Sequence, residues 1–160
     1  MPSFIHLHTH SHYSLLDGLS KIPEMVALAK SFGMPALALT DHGALYGAIQ
    51  FYKECKKVGI KPIIGVEAYI ANRSRFDKEP RIDNKRFHLT LLAKNNTGYQ
   101  NLIKLVTLAH LEGYYYKPRV DKDLLRQYHE GLIALSGCLG GEVASQLLSG
   151  RTDEIGRAHV

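Results

Sequence analysis

Cysteine is scarce in this sequence, and long apolar runs are missing. The chain has two cysteines, Cys55 and Cys138, which are too few for a disulfide framework. Its N-terminus shows neither a charged-then-apolar leader nor an apolar stretch long enough to span a bilayer. These absences exclude the disulfide-stapled and membrane-spanning classes. We therefore expect a protein of the reducing cytoplasm that has no membrane partner.

The excess of positive charge is modest. Twenty lysine and arginine residues against fifteen acidic residues give a formal net charge of +5 over 160 residues. This charge permits a polyanionic partner such as nucleic acid but is too small to require one. The length and the 45% hydrophobic content are those of one globular domain, or of part of one.

Histidines are concentrated near the N-terminus. Four of the nine occupy alternate positions of one short stretch, namely His6, His8, His10 and His12. Alternate side chains of an extended segment share one face, so this spacing predicts a row of imidazoles. Neutral imidazole is a common ligand of zinc and its transition-metal neighbours. A histidine-rich surface strand or a stray tag is the alternative interpretation.

Apolar periodicity predicts alternating strands and helices. The predicted strands are 4–10, 36–40, 62–66, 87–93 and 131–136, and the predicted helices lie within 20–33, 45–59, 95–113, 121–128 and 140–148. Cys55 is predicted to be a core residue of the second helix. Crossovers long enough for a helix imply parallel strands, so the pattern predicts an α/β fold and suggests a barrel.

Polar residues of the kind that bind metals follow most of the predicted strands. They are His8, His10, Asp17, Asp41, His42, Glu67 and Cys138. In a barrel of parallel strands the carboxyl-terminal ends gather at one mouth, where we expect these side chains to meet. His88 is the exception because it lies at the start of its predicted strand, and spacing alone leaves its role open.

Nitrogen, oxygen and sulfur donors together favour zinc, manganese or iron over calcium or magnesium alone. Bridging carboxylates would allow more than one ion. Closely spaced divalent ions hold a phosphoester oxygen, lower the pKa of a bound water and stabilise the leaving oxygen. The residues therefore predict phosphoester hydrolysis. A purely structural metal site, or a cavity used for docking, is the alternative.

Two further segments could contact a polyanion. The stretch 72–86 is polar, has more basic than acidic residues and lacks apolar periodicity, so it is predicted to be a long surface loop. The three tyrosines at 114–116 could stack on bases, although three in a row place at least one outward for geometric reasons alone.

Several motifs resemble a known family. His8-Thr9-His10-Ser11, Thr40-Asp41-His42-Gly43 and Glu67 resemble the motifs of the polymerase and histidinol phosphatase (PHP) domain. The segments 13–18, 59–69, 88–94, 97–102 and 131–138 are more closely similar to the N-terminal domain of bacterial replicative DNA polymerase III alpha subunits. The resemblance covers about residues 3–150. It implies a distorted seven-stranded TIM-like barrel, present here as its N-terminal part, with residues 151–160 as a ragged end or a cloning tail.

The resemblance also implies a ligand set. The implied metal ligands are His8, His10, Asp17, His42, Glu67, His88 and Cys138, with Asp41, His42 and Glu67 in catalytic roles. It thus strengthens the case for His88. The implied cofactors are divalent metals, zinc or manganese, with up to three ions in a complete domain whose remaining ligands would follow residue 160.

The implied activity is metal-dependent 3'-to-5' exonuclease or other phosphoesterase action within a DNA-directed DNA polymerase of replication. The implied partners are primer-template DNA, a separate proofreading exonuclease subunit and a sliding clamp. Two other functions stay open at this point: a non-catalytic module that docks the proofreading subunit, and a stand-alone phosphatase acting on a small phosphomonoester such as histidinol phosphate.

Overall fold

The computed structural model describes residues 4–15 and 17–155, which form a mixed α/β fold. The helices are α1 (Ile22–Ser31), α2 (Ala48–Val58), α3 (Asn96–Leu111), α4 (Lys122–Gln127) and α5 (Glu142–Leu148), followed by a 3-10 turn at Thr152–Glu154. The strands are β1 (Ala36–Leu39), β2 (Lys61–Ala71), β3 (Arg86–Ala93), β4 (Arg119–Val120) and β5 (Leu132–Leu135). The predicted α/β class is confirmed. No described helix is long and apolar enough to cross a membrane.

The sheet is organised around β2, which is the longest strand among the described residues. Its first half pairs in parallel with β1, and its second half pairs in parallel with the short β4. Along its other edge β2 pairs with β3, and β3 in turn pairs with β5. The strand order is therefore β1, β2, β3, β5, with β4 beside β2.

The expectation that all strands are parallel is wrong. β3 runs antiparallel to both β2 and β5. The connection 72–85 contains no helix, so the chain turns back beside β2 instead of crossing over the sheet. The start of β3 therefore lies next to the carboxyl-terminal end of β2, and a residue at the start of β3 reaches the same edge as residues that follow the parallel strands.

The predicted first strand, 4–10, is also wrong as a regular strand. The segment lies beside β1, where Ala38 N donates to His6 O and Thr40 N donates to Thr9 O. The two acceptors, His6 and Thr9, are three residues apart, whereas the two donors, Ala38 and Thr40, are only two residues apart. One extra residue of this kind acts as a bulge and interrupts the two-residue alternation of side chains.

Helix boundaries follow the predicted signals with one exception. The side chains of Asn95 and Asp121 accept backbone N–H bonds at the starts of α3 and α4, and Gly59 ends α2 in the left-handed conformation with φ +72°. Ser20 does not cap α1; the N-cap is Lys21, whose side chain makes no capping bond. β2 continues past the predicted strand to Ala71.

Two apolar cores hold the sheet. The first packs α1 and α2 against β1 and includes Cys55, which confirms that residue as core. The second packs α3 and α4 against one face of β2 and β3; its members include Val66, Ala68, Ile70, Leu91, Leu102 and Leu105. Each fully buried aliphatic side chain contributes about 1.5–3 kcal/mol. Because side chains alternate along a strand, Glu67, Tyr69 and His88 project from the face of β2 and β3 opposite α3.

A buried arginine fixes the loop 72–85. The guanidinium of Arg119 is fully buried and donates to the carbonyl oxygens of Gly113, Asp83, Arg75 and Asp77 at 2.8–3.0 Å. The loop's own arginines are paired with acids: Arg73 lies 2.6 Å from Asp83, and Arg75 lies 3.0 Å from Asp121. Part of the positive charge predicted to face a polyanion is therefore neutralised within the protein.

Candidate metal centre

Glu67 is the centre of the site. Its side chain is only 2% exposed, yet four imidazoles surround its carboxylate. The distances to Oε2 are 3.2 Å from His8 Nε2, 3.0 Å from His10 Nε2 and 3.0 Å from His42 Nδ1, and Oε1 lies 2.8 Å from His88 Nδ1. A buried carboxylate with this many partners is a point at which several segments of the chain converge.

The sheet brings these side chains together. After β1 the chain continues beside β2, where Glu67 N donates to Asp41 O at 3.1 Å and Gly43 N donates to Glu67 O at 2.9 Å. This pairing places His42 next to Glu67. His88 pairs with Tyr69 across the antiparallel β2 and β3, so its ring reaches Glu67 diagonally.

The donors fit divalent cations better than a closed hydrogen-bond network. Three imidazole nitrogens lie within 3.2 Å of one oxygen, Glu67 Oε2, which has about two lone pairs. The buried Nδ1 of His42 accordingly makes no well-directed hydrogen bond to any described residue. Such crowding is typical of ligand atoms that share a cation, and the nitrogen, oxygen and sulfur donors suit zinc.

Two groups of side chains could each hold an ion, and they share one member. The first comprises His8, His10 and Glu67; the second comprises Glu67, His88 and Cys138. Within each group the ligand atoms lie within 4.8 Å of one another. Glu67 could therefore bridge two cations.

Asp17 and Cys138 lie at the rim of this cluster. Asp17 Oδ2 is 2.8 Å from His42 Nε2, and the Asp17 side chain is exposed. Cys138 Sγ is 3.7 Å from His88 Nδ1 and accepts the Gly140 N–H at 3.3 Å. The structure thus brings all seven predicted ligands to one site, each in contact with at least one other member.

Asp41 is placed differently. Both oxygens of its buried carboxylate are occupied by two serines: Ser11 N and Oγ donate at 2.7 and 2.8 Å, and Ser14 Oγ donates at 2.7 Å. Asp41 therefore orders the turn that follows His10 and is not itself among the side chains around Glu67.

Ser14 links Asp41 to a histidine of the cluster. Its hydroxyl has one proton, which it donates to Asp41, while it accepts the backbone N–H of His42 at 3.1 Å. The contact of 2.9 Å between Ser14 Oγ and His10 Nδ1 must then be donated by the histidine. The proton on Nδ1 leaves the lone pair of His10 Nε2 directed at Glu67, which is the tautomer a metal requires. No pattern in the sequence points to Ser14.

Tyr69 is a second residue that the sequence analysis missed. Its ring lies beside two histidines, with centroids 5.8 Å from His42 and 5.3 Å from His88. Gly43 makes room for it, because a Cβ there would lie 3.3 Å from the Tyr69 ring and 2.8 Å from Pro118 Cγ. The available signal was position: Tyr69 lies two residues after Glu67 in a strand, so the two share a face.

The charges of the cluster are strongly coupled. Burial raises the pKa of Glu67, but the close contacts with the imidazoles of His10, His42, His88 and His8 outweigh it and hold that pKa well below its ordinary value. The close contact with the Glu67 carboxylate raises the pKa of His42 and of His88 against the opposing effect of burial. The hydrogen bond to His42 lowers the pKa of Asp17. The raised pKa values of His42 and His88 mean that protons and cations compete for these two rings.

The four alternating histidines do not form one row. The ring of His6 packs on Phe4 with centroids 4.7 Å apart, and that of His12 packs on Tyr13 at 4.3 Å. Of the four, only His8 and His10 contact Glu67 among the described residues. The bulge beside β1 is the physical reason, since it breaks the alternation between His6 and Thr9.

A carboxylate shared by histidines at one edge of an α/β sheet indicates a metal-binding domain. The chain belongs to the PHP domain family, whose model matches residues 6–159. The resemblance found in the sequence is therefore confirmed. The boundary placed at residue 150 stays a prediction.

Three curated relatives of the chain share one name. The chain is 55% identical over 152 residues to the DNA polymerase III subunit alpha of Borreliella burgdorferi, 56% over 153 residues to that of Treponema pallidum and 53% over 154 residues to that of Thermus aquaticus. These alignments cover 94%, 95% and 94% of the chain. The chain spans only 13% of the length of each of these relatives.

A solved structure of a putative metal-dependent phosphoesterase from Bifidobacterium adolescentis is a more distant match. It aligns with a TM-score of 0.47 at 16% identity and covers 98% of this chain and 56% of that one.

Proposed function

We propose that this chain is a metal-dependent phosphodiesterase module that hydrolyses the 3' end of a DNA strand. The observation that carries the proposal is the position of Glu67, whose buried carboxylate belongs to both candidate cation groups. A shared carboxylate holds two cations close together, which is the arrangement used for phosphoester hydrolysis.

Each residue has a proposed role. His8, His10 and Glu67 would hold one cation, and Glu67, His88 and Cys138 would hold a second. Asp17 with His42 would hold a third on the exposed side. Zinc or manganese, when bound, supplies Lewis-acid activation of water and stabilises charge on the phosphate oxygens.

The predicted catalytic role of Asp41 is indirect in this proposal. Through Ser14 it holds the proton of His10 on Nδ1, so that Nε2 stays free to bind. Glu67 and His42 would hold cations directly. Contact with Glu67 raises the pKa of His42, so this ring binds a proton more readily than an ordinary imidazole.

The proposed setting is a replicative polymerase of the cytoplasm. Relatives with more than half of their aligned residues identical are named DNA polymerase III subunit alpha, which supports DNA as the substrate class. On this proposal the longer protein contacts primer-template DNA, a proofreading exonuclease subunit and a sliding clamp. Nucleotide addition would belong to regions outside this chain.

The test is hydrolysis by the 160-residue chain loaded with zinc or manganese. We expect 3'-to-5' shortening of a 5'-labelled single-stranded oligonucleotide, and little release of phosphate from a small phosphomonoester. The double variant His8→Ala with His10→Ala removes two proposed ligands and should abolish both metal uptake and shortening. His6→Ala with His129→Ala removes two exposed histidines away from Glu67 and should change neither.

The outcomes separate the competing functions. Faster hydrolysis of the phosphomonoester than of the oligonucleotide would identify a small-molecule phosphatase. Full metal uptake without hydrolysis of either substrate would identify a structural module, and an unchanged exonuclease rate in the His8 and His10 double variant would refute the catalytic proposal.

A further inference from the structure

Among the residues that the structure describes, two basic side chains beside the metal centre have no acidic partner. The Arg86 Cζ atom lies 5.4 Å from the centroid of the Tyr69 ring, and Lys117 Nζ lies 5.7 Å from the same centroid. Within the described residues, neither side chain has a carboxylate within 4 Å. Arg73 and Arg75, in the adjoining loop, are both paired with acids. Arg86 and Lys117 therefore keep their charge available to a ligand.

The strand register places Arg86 in line with the metal centre. On the face opposite α3, Thr90 is paired with Glu67, His88 with Tyr69, and Arg86 with Ala71. Arg86 lies two residues before His88 on β3, so their Cα atoms are about 7 Å apart along the strand. A ligand lying along this face would meet the cations at Glu67 first and the two basic side chains next.

Arg86 has an unused donor at this position. Its Nη1 donates to the Asn84 carbonyl at 2.9 Å, whereas its buried Nε has no hydrogen-bond partner among the described residues. A buried N–H without an acceptor is unfavourable, and an anionic oxygen would satisfy it. The Arg86 and Lys117 side chains are themselves half-buried and so remain accessible from the surface.

We propose that Arg86 and Lys117, on either side of the Tyr69 position, form a second anion site that binds the phosphate next to the one held at the Glu67 centre. This inference rests on the proposed function and specifies its substrate class. Arg86 and the cluster residue His88 lie about 7 Å apart along β3, and this spacing fits a ligand with several phosphates in a row. A phosphomonoester has a single phosphate and could not occupy both sites.

A single nucleic-acid strand matches the surrounding chemistry. Tyr116 is 67% exposed and lies next to Lys117 in sequence. Exposed aromatic rings beside a basic groove are typical of proteins that bind single-stranded nucleic acid, because bases stack on the rings while the cations contact the backbone. Arginine suits the phosphate site because its planar guanidinium can donate two parallel hydrogen bonds.

The test is the salt dependence of binding, measured with the whole chain. Fluorescence anisotropy would follow a labelled single-stranded oligonucleotide in chelator, where no hydrolysis occurs, for the wild type and for Arg86→Gln with Lys117→Gln. Arg86 and Lys117 share one phosphate in this proposal. Each lost phosphate contact lowers the slope of log affinity against log salt by about 0.7, so the double variant should lose about 0.7. Lys30→Gln with Lys53→Gln, on exposed faces of α1 and α2, removes the same charge and should preserve the slope.

The metal-loaded chain provides a second measurement. The Arg86 and Lys117 double variant should raise KM for the oligonucleotide and leave KM for a small diester with one phosphate unchanged, and Arg86→Lys should retain most of the salt slope. A slope equal to that of the Lys30 and Lys53 control would overturn the inference, as would equal KM changes for both substrates. If the Arg86 and Lys117 double variant loses salt slope but the metal-loaded wild type hydrolyses neither substrate, the proposed function is refuted and the anion site is supported.

Discussion

The Nδ1 atom of His88 lies 2.8 Å from the Oε1 atom of Glu67, although the two residues belong to strands that run in opposite directions. Because β3 is antiparallel to β2, its first residues lie beside the last residues of β2. The site consequently depends on the register that pairs Tyr69 with His88. A slip of one residue would turn His88 toward α3 and remove it from the cluster.

Ser14→Ala should weaken metal binding without unfolding the protein. The substitution removes the hydroxyl that fixes the Nδ1 proton of His10, and loss of such an outer partner typically costs about 10- to 100-fold in metal affinity. Competition with a chromogenic chelator measures the change. Ser31→Ala removes an exposed hydroxyl on α1 and serves as the matched control. Equal affinities in the two variants would show that the Asp41, Ser14 and His10 chain does not orient the site.

The two cysteines should differ sharply in reactivity. Burial raises the pKa of the Cys55 thiol to about 11 and leaves no exposed surface, whereas Cys138 is exposed. Native-state alkylation by iodoacetamide, mapped by mass spectrometry, should therefore modify Cys138 first. Added zinc should slow that reaction if Cys138 is a ligand, since coordination occupies the sulfur. An alkylation rate that zinc does not change would remove Cys138 from the proposed ligand set.

The metal-free protein should lose stability as the pH rises above neutrality. The pKa values of His42 and His88 in the folded protein are raised above the ordinary value of 6.5. Their contribution to the free energy of unfolding is therefore complete below pH 6.5, and it is lost as the pH rises through the two raised pKa values. The pKa of Glu67 is lowered, so its contribution persists throughout this range.

Thermal unfolding in chelator, from about pH 6 to pH 9, measures this effect. The double variant His42→Gln with His88→Gln should lose most of the pH dependence. Metal-loaded protein should show the opposite trend, because cations compete with protons for the same nitrogens. A metal-free Tm that stays constant or rises over this interval would contradict the assignment of these protons.

Gly43→Ala should destabilise the fold more than Gly33→Ala. Both glycines have positive φ, +59° and +68°, so each substitution carries the left-handed penalty of about 1–2 kcal/mol. A Cβ at Gly33 meets no atom within 4 Å, but one at Gly43 would lie 2.8 Å from Pro118 Cγ and press on the Tyr69 ring. Urea titrations give the loss of unfolding free energy in each variant. The difference between the two losses is the cost of the Cβ contact at Gly43. Equal losses would show that the Tyr69 ring moves aside freely.

The sequence was sufficient for the five helices, for four of the five strands and for the identity of most cluster residues; it missed the two-residue β4. Apolar spacing predicted α2 and α3 because each buries one stripe, and the resemblance supplied His88 where spacing could not. The direction of β3 was not predictable, because a run of apolar residues indicates that a strand is buried but does not indicate whether it is parallel or antiparallel to its neighbours. That direction follows from the loop 72–85, which Arg119 binds through backbone carbonyls that no residue pattern reveals.

The errors near the N-terminus have a similar cause. The alternating histidines predicted a single row of imidazoles. The segment instead has one extra residue relative to β1, and such a bulge is determined only by how the two segments pair in the fold. The role of Ser14 depends on Asp41, which lies 27 residues away in sequence and meets it only in the fold. Contacts of this kind form only when distant segments pack together, so they produce no periodic pattern in the sequence.

The central claim is that the Glu67 carboxylate bridges two cations. Metal content after loading with zinc or manganese and removal of free metal, measured by inductively coupled plasma mass spectrometry, tests it most directly on the wild type and on Glu67→Gln. Glu54→Gln, on α2 and paired with Lys57, is the matched control. We expect about two or more equivalents per chain in the wild type and in the control, and at least about one equivalent fewer in Glu67→Gln, because an amide cannot bridge two ions. Wild-type metal content in Glu67→Gln would contradict the account.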